Sequence, residues 1–223
     1  DGEYHVELET EETPSTLKVF DFVLPGENKE TILLNGHNCH PWQANDDISG
    51  CAVGIAIMQI LQRRKKRKHT YRLVIAPELI GTVHWLASLD QSITSDIIGA
   101  VMLKSVGNER QLKLQHSYLG DSQLDKASNN ILRRRDPDLV SGAFRTVYGN
   151  DETVFDSPGF EIPSISLTRF PFKEYHTDAD TPEILSEEAL VETRDIVLEI
   201  IEALEENETL TFKEKGLVSL SHT

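Results

Sequence analysis

Cysteine is scarce: Cys39 and Cys51 are the only two in 223 residues. Two thiols cannot build a disulfide framework, so the chain reads as one from a reducing compartment, the cytoplasm. Basic residues are outnumbered, 22 lysines and arginines against 37 aspartates and glutamates, for a formal net charge of -15. That balance argues against a nucleic-acid partner, because a phosphate backbone would be repelled. No apolar run reaches the ~20 residues that a bilayer crossing needs. No apolar segment near Asp1 resembles a signal peptide, and no membrane partner is expected. There is also no phosphate-binding loop, no GxGxxG turn, no CxxC pair and no serine in a nucleophile elbow. Nucleotide chemistry, thiol redox work and serine hydrolysis of that type therefore lack their usual signatures.

What is present suits a soluble globular chain: 39% hydrophobic and 26% charged residues. The length suffices for one large or two small domains. Tyr4 to Leu8 and Leu17 to Val23 both alternate in hydrophobicity and read as strands, either a hairpin on a small lobe or edge strands of the main sheet. Ile32-Leu33-Leu34 reads as a buried strand. Small and apolar residues from Ser49 to Gln62 form a helix able to lie close to a sheet. The basic run Arg63 to Lys68 suits the C-terminus of that helix and a solvated loop. Buried strands follow at Tyr71 to Ala76 and Ile97 to Val106, with helical sequence at Thr82 to Gln91. A partner strand is expected at Leu112 to His116 and a helix at Asp121 to Arg135, stopped by Asp136-Pro137. Residues Gly142 to Pro163 are rich in turns. A short strand at Ile162 to Leu167 and an amphipathic helix at Glu183 to Glu206 close the pattern. This order predicts an α/β fold with a mixed, mainly parallel sheet flanked by helices.

Two stretches concentrate chemistry. Between Thr31 and Gly50 the strand gives way to His37, Cys39, His40, Asp46 and Asp47 within eleven residues. Arg169 to Asp180 is the second, with Tyr175 and His176. Ligand-type residues between a buried strand and the next helix stand where open α/β sheets bind ligands. Imidazole and carboxylate donors suit zinc, and a catalytic zinc keeps a position open for water. Magnesium prefers harder, all-oxygen surroundings. His37 or His40, Asp46 and His176 are the candidate ligands, and Glu78, just past a strand end, is a candidate general base.

The motifs His37-Asn38-Cys39-His40-Pro41, Ala44-Asn45-Asp46-Asp47-Ile48-Ser49-Gly50, Pro77-Glu78-Leu79-Ile80-Gly81 and Glu174-Tyr175-His176-Thr177-Asp178-Ala179-Asp180 together resemble an aminopeptidase-like family. That family was long catalogued as a domain of unknown function, and some bacterial members are named as polysaccharide-biosynthesis proteins. It is similar to the wider group of cocatalytic zinc aminopeptidases, of phosphorylase/hydrolase-like fold. The resemblance runs from Tyr4 to about Glu206 and is strongest at His37 to Gly50, Tyr71 to Gly81, Asp151 to Pro163 and Arg169 to Asp180. It implies three regions. Residues 1–28 are a remnant of a small lobe or an edge hairpin, 29–210 an aminopeptidase-like catalytic domain, and 211–223 a tail. The abrupt start and end are read as those of a fragment of a longer protein.

Carried onto this sequence, the resemblance implies that Asp46 matches the aspartate that bridges two zinc ions in the wider group, and His176 the last ligand. For the first ligand, the distance from the strand favours His37 and the Cys-His-Pro motif favours His40. His40 is chosen, with His37 and Asp47 as supporting residues or alternative ligands. Glu78 matches the general base. Two ligand carboxylates of the wider group have no counterpart, since Leu79 and the Leu103-Lys104 region stand in their places. One zinc ion is therefore expected. Tyr175 is assigned to the oxyanion, and Asp151 and Glu152 to a cationic end of the substrate. The implied activity is zinc-dependent hydrolysis of an amide bond in a peptide or an amino-modified sugar. The alternative is a non-hydrolytic metal- or ligand-binding module of a larger protein. A peptide or small-molecule substrate is the expected partner, with homo-oligomer formation left open.

Overall fold

The run Thr31–His37 is buried along its whole length, which suits an interior strand covered on both faces. The structure, a computed structural model, describes residues 2–208 and bears this out. Its strands are β1 (Phe20–Leu24), β2 (Thr31–His37), β3 (Thr70–Ala76), β4 (Ile97–Lys104), β5 (Lys113–Gln115), β6 (Ser141–Gly142) and β7 (Ser164–Thr168). Its α-helices are α1 (Ser49–Gln62), α2 (Ile80–Ser88), α3 (Gln91–Ser95), α4 (Gln123–Arg135), α5 (Glu152–Phe155) and α6 (Glu187–Glu205). The strands form one sheet in the order β1-β3-β2-β4-β7-β5-β6. The inner four, β3, β2, β4 and β7, are mutually parallel. Antiparallel pairings of β1 with β3 and of β5 with β7 make the sheet mixed.

Strands β2, β3 and β4 divide their apolar residues between two cores, whereas β7 gives Ile165 and Leu167 to the first and turns Ser164, Ser166 and Thr168 to its other side. Ile32 and Leu34 of β2 join Val53, Ile57, Met58 and Leu61 of α1 and the buried side of α6. Leu33 turns the other way, to Trp85 and Leu86 of α2 and Phe155 of α5. Full burial of one such aliphatic side chain is worth about 1.5–3 kcal/mol. The start of α1 is pressed against the sheet, and a Cβ at Gly50 would lie 2.1 Å from the Leu103 carbonyl oxygen. Only glycine fits there, and this close approach brings the helix N-terminus beside the end of β4.

The remaining helices follow their end signals. Ser122 caps α4 reciprocally with Asp125. Helix α6 begins at Glu187, later than its amphipathic pattern suggests, because Pro182–Ile184 forms a separate 3-10 turn and Ser186 takes the cap, accepting from the Ala189 amide. The basic run after α1 is absorbed locally: Arg67 donates to the Leu61, Arg64 and Pro25 carbonyls, and Arg64 pairs with Glu202.

Two expectations need correction. Residues Tyr4 to Leu8 form no strand, and Tyr4, Val6 and Leu8 lie exposed. Alternation gives no burial where no neighbouring strand supplies a face. The hairpin is therefore absent, and β1 is a lone edge strand starting at Phe20, tied to β3 by the Asp21–Arg72 ion pair and to α2 by the Trp85 indole, which donates to Asp21. The expected tail at 211–223 lies outside the described residues. Among the described residues, no helix is long and apolar enough to cross a membrane.

Candidate metal centre

The carboxyl ends of the four parallel strands converge on one place, as the Thr31–Gly50 motif requires. Strand β2 ends at His37, β3 leads through Pro77 to Glu78, β4 ends at Lys104, and the segment after β7 brings Tyr175 and His176. Asp46 lies at the middle, buried to 1% exposure. One of its oxygens, Oδ2, is 3.3 Å from His176 Nε2 and 3.7 Å from His40 Nε2. The other, Oδ1, is 3.1 Å from His37 Nε2. Burial alone would raise the Asp46 pKa, but the hydrogen bond from His37 and the nearby His37, His40 and His176 rings hold it below the ordinary aspartate value.

Asp46 is held where it is by backbone bonds. Asp180, itself buried, accepts the Asn45 amide at 2.7 Å and the Asp46 amide at 3.0 Å. The same carboxylate thus ties the Asp46 turn to the loop that carries His176. That loop is anchored through Arg169, which donates to the Val106, Arg110 and Ala189 carbonyls and pairs with Glu192. His176 itself is largely exposed, has a φ of 56° and stacks on Tyr175 with ring centroids 3.8 Å apart.

His40, Asp46 and His176 offer ligand atoms that all lie within 4.8 Å of one another. The His40 Nδ1 is 2.9 Å from the Pro41 carbonyl, which can only accept, so Nδ1 carries a proton. Its buried Nε2 has no hydrogen-bond partner and faces Asp46 Oδ2 at 3.7 Å. A neutral imidazole with its other nitrogen bonded to a carbonyl is the form that ligates zinc. Two imidazoles and a carboxylate are a donor set that suits zinc. A second grouping, His37, Cys39 and His40, meets the same distance test but uses the same His40. In the structure His37 is occupied otherwise, with Nε2 on Asp46, Nδ1 3.4 Å from Cys39 Sγ and its amide donating to Asp47.

The other expected residues divide. Asp47 is fully buried and turned away from His40 and His176, accepting the His37 amide at 3.1 Å and the Ser105 amide at 3.0 Å. Glu78 is half-buried within electrostatic reach of Asp46, and burial pushes its pKa above the ordinary glutamate value; Lys104 opposes this, while Asp151, Asp46 and Glu152 add to it. Tyr175 Oη is 3.5 Å from the hydroxyl of Tyr148, which is in turn 3.5 Å from Asp46 Oδ1. Asp151 and Glu152 are both fully buried. Asp151 accepts the Leu79 amide at 2.6 Å and the Thr82 hydroxyl at 2.9 Å, and Glu152 accepts from Asn150 and Gln115. As placed, these two carboxylates face protein groups instead of the solvent-side cationic end expected of them: Asp151 serves the segment after β3, and Glu152 serves Asn150 and Gln115. Leu79 has a φ of 58°, a region that non-glycine residues seldom occupy. Asp151 holds it there and so sets the direction of Glu78.

Sequence reasoning assigned no role to Asp180, Tyr148, Ser105 or Lys104. Asp180 closes the motif that begins at Glu174, and that place was its one signal. Tyr148 sits in the turn-rich segment with nothing local to mark it.

With this geometry established, comparison with known proteins is informative. The family described as Domain of unknown function (DUF4910) matches residues 9–207. A Clostridium acetobutylicum protein is 31% identical over 211 residues, covering 94% of this chain and 48% of the relative. It is provisionally named a polysaccharide biosynthesis protein with an aminopeptidase-like domain. A crystal structure from the same organism, provisionally named a peptidase, aligns with a TM-score of 0.81 at 30% identity, over 91% of this chain and 48% of that one. A zinc aminopeptidase from Bacillus subtilis aligns with a TM-score of 0.72 at 19% identity, over 86% of this chain and 51% of that one. The fold is thus aminopeptidase-like, and this chain spans about half the length of these relatives.

Proposed function

The chain belongs to the family described as Domain of unknown function (DUF4910), and from that premise we propose that it is a zinc-dependent hydrolase of amide bonds, acting on a peptide or an amino-modified sugar. The observation that carries this reading is the cluster of His40, Asp46 and His176, in which the buried His40 Nε2 has no hydrogen-bond partner. These three residues would hold one zinc ion, which when bound polarises a carbonyl and acidifies a water.

The chain's own residues supply the rest. Glu78 takes the proton of the attacking water and passes it to the departing amine. Its raised pKa suits that exchange, since a base poised closer to neutrality both accepts and returns a proton. The Tyr175 hydroxyl, backed by that of Tyr148, is the donor for the developing oxyanion. His37 bonds Asp46 Oδ1 and Asp180 bonds the Asp46 amide, so the carboxylate keeps Oδ2 towards His40 and His176. Asp151 fixes the Leu79 amide and with it the approach of Glu78. A cytoplasmic setting fits the free thiols of Cys39 and Cys51.

Two measurements test the reading. Zinc should copurify at one ion per chain and be lost in His40→Ala and His176→Ala. Amine release from a panel of aminoacyl and N-acyl amino-sugar substrates should be seen with the wild type and vanish in Glu78→Gln. A chain that takes up no zinc overturns the proposal, and tight zinc without turnover on any substrate favours a binding module instead.

A further inference from the structure

An open cleft of about 620 Å³ lies beside the centre, within the ~300–1,000 Å³ of small-molecule sites. Two of its lining residues adjoin groups already described: Asn38 follows His37, and Pro77 precedes Glu78. Phe20 and Ile75, register partners across β1 and β3, give it an apolar wall. The segment before β1 supplies Ser15, Thr16 and Lys18. Because β1 runs antiparallel to β3, that segment leads from Phe20 towards the end of β3 where Glu78 stands. The polar lining is one-sided. Among the described residues no aspartate or glutamate lines the cleft, in a chain that has 37 of them. Every polar side chain there can donate a hydrogen bond. Asn38 accepts the Gln43 amide at its Oδ1, 2.6 Å away, and its own NH2 group has no partner among the described residues. Lys18 brings the one formal charge, and it forms no ion pair among the described residues.

We infer that this cleft receives the leaving-amine side of the substrate and that Lys18 holds a carboxylate there, so that the amide cleaved is one made to an amino acid with a free carboxylate. The inference rests on the hydrolase reading above and narrows its substrate to a short peptide. Glu78 returns its proton to the departing amine, so that amine has to stand beside Glu78, and the cleft opens at Pro77, the residue before it. A carboxylate carried one residue beyond the amide is drawn into the cleft by the Lys18 ammonium and by the Asn38 NH2 group. The charge of Asp46 and Glu78 drives it the same way, out of the centre. A neutral amino sugar in that place would leave Lys18 without a counter-charge. Lys18 is exposed, so it selects by charge complementarity at the open side of the cleft. It takes no part in proton transfer and acts as a specificity residue.

The test uses alanyl-alanine and its C-terminal amide, which differ only in that charge. Amine release gives kcat and KM for both with zinc-dialysed wild type, Lys18→Arg, Lys18→Gln and Lys18→Glu. Binding of both to Glu78→Gln protein, with and without Lys18→Gln, is read by NMR titration, which needs no turnover. Wild type should favour the free acid by about 2–5-fold in kcat/KM, the worth of an exposed ion pair. The difference should lie in KM and should narrow with added salt. Lys18→Arg should keep the preference, Lys18→Gln should abolish it and Lys18→Glu should reverse it. Equal kcat/KM for acid and amide in the wild type, or a preference that survives Lys18→Gln, overturns the inference and leaves the hydrolase reading standing. If neither dipeptide is turned over, the titration decides. Tighter binding of the acid that is lost with Lys18→Gln supports the cleft assignment, and its absence overturns it. Failure of every substrate in the wider panel counts against the hydrolase reading alone.

Discussion

Replacing Asp180 with alanine should damage the metal centre without touching a ligand. The carboxylate is 1% exposed and accepts two backbone amides, from Asn45 and Asp46, at 2.7 and 3.0 Å. Hydrogen bonds to a charged acceptor are worth about 1.5–3 kcal/mol each. Water entering the space left by the side chain recovers part of that, so a net loss of about 3 kcal/mol is expected. For a chain of this size each kcal/mol moves the melting temperature by about 2–4 °C, which gives a fall of roughly 6–12 °C. The larger effect should appear in zinc affinity. Without the Asp180 carboxylate, the Asp46 turn and the His176 loop keep only the 3.3 Å bond from the Ala44 amide to the Asp180 carbonyl, and supporting groups of this kind change metal affinity by about 10–100-fold. Thermal melting of the metal-free chain and competitive zinc titration with a chromophoric chelator read the two effects separately. If both melting temperature and zinc affinity match the wild type, the account of how Asp46 is presented is wrong. A fall in melting temperature with unchanged affinity would confine Asp180 to stability.

Other perturbations separate the roles of neighbouring groups. Glu78→Gln should lower kcat by about 10²–10⁴-fold while zinc content stays at the wild-type level. Because the general base works ionised and burial raises its pKa, the acid limb of kcat/KM should lie above the ~4.3 of an ordinary glutamate; a limb at or below that value in a pH-rate profile contradicts the assignment. His37→Ala should keep zinc but bind it about 10–100-fold more weakly, whereas His176→Ala should lose it. Far from the site, Ser122→Ala removes the α4 cap at a cost of about 1 kcal/mol, and should lower the melting temperature with zinc binding intact.

The layered α/β fold was legible in the sequence because strand burial is written locally. Ile32-Leu33-Leu34 is apolar on both faces, and a strand so composed has to be covered on both sides. Tyr4 to Leu8 misled for the complementary reason: alternation describes a surface, and whether another strand meets it depends on the rest of the chain. The cluster of His40, Asp46 and His176 was foreshadowed by residue types and motif spacing, and the structure brings the three side chains together. What supports them was harder to see. Asp180 acts 134 residues from Asp46, and Asp151 acts 72 residues from Leu79. No periodicity encodes such partners. Lys104 was noticed only as a missing carboxylate, since the sequence does not reveal that its side chain is buried between Asp47 and Asp151.

The separation between Asp46 and Asp180 also has a meaning in time. At about 5–20 residues per second of synthesis, the 134 intervening residues take roughly 7–27 seconds to emerge. For nearly all of that interval the nascent chain carries Asp46, His37 and His40 without His176, and for all of it without the carboxylate that secures the Asp46 turn. A partial chain therefore has only a fragment of the proposed donor set. Under the zinc reading, a ribosome-stalled chain ending before His176 should release zinc to a mild chelator, whereas one extended past Asp180 should retain it.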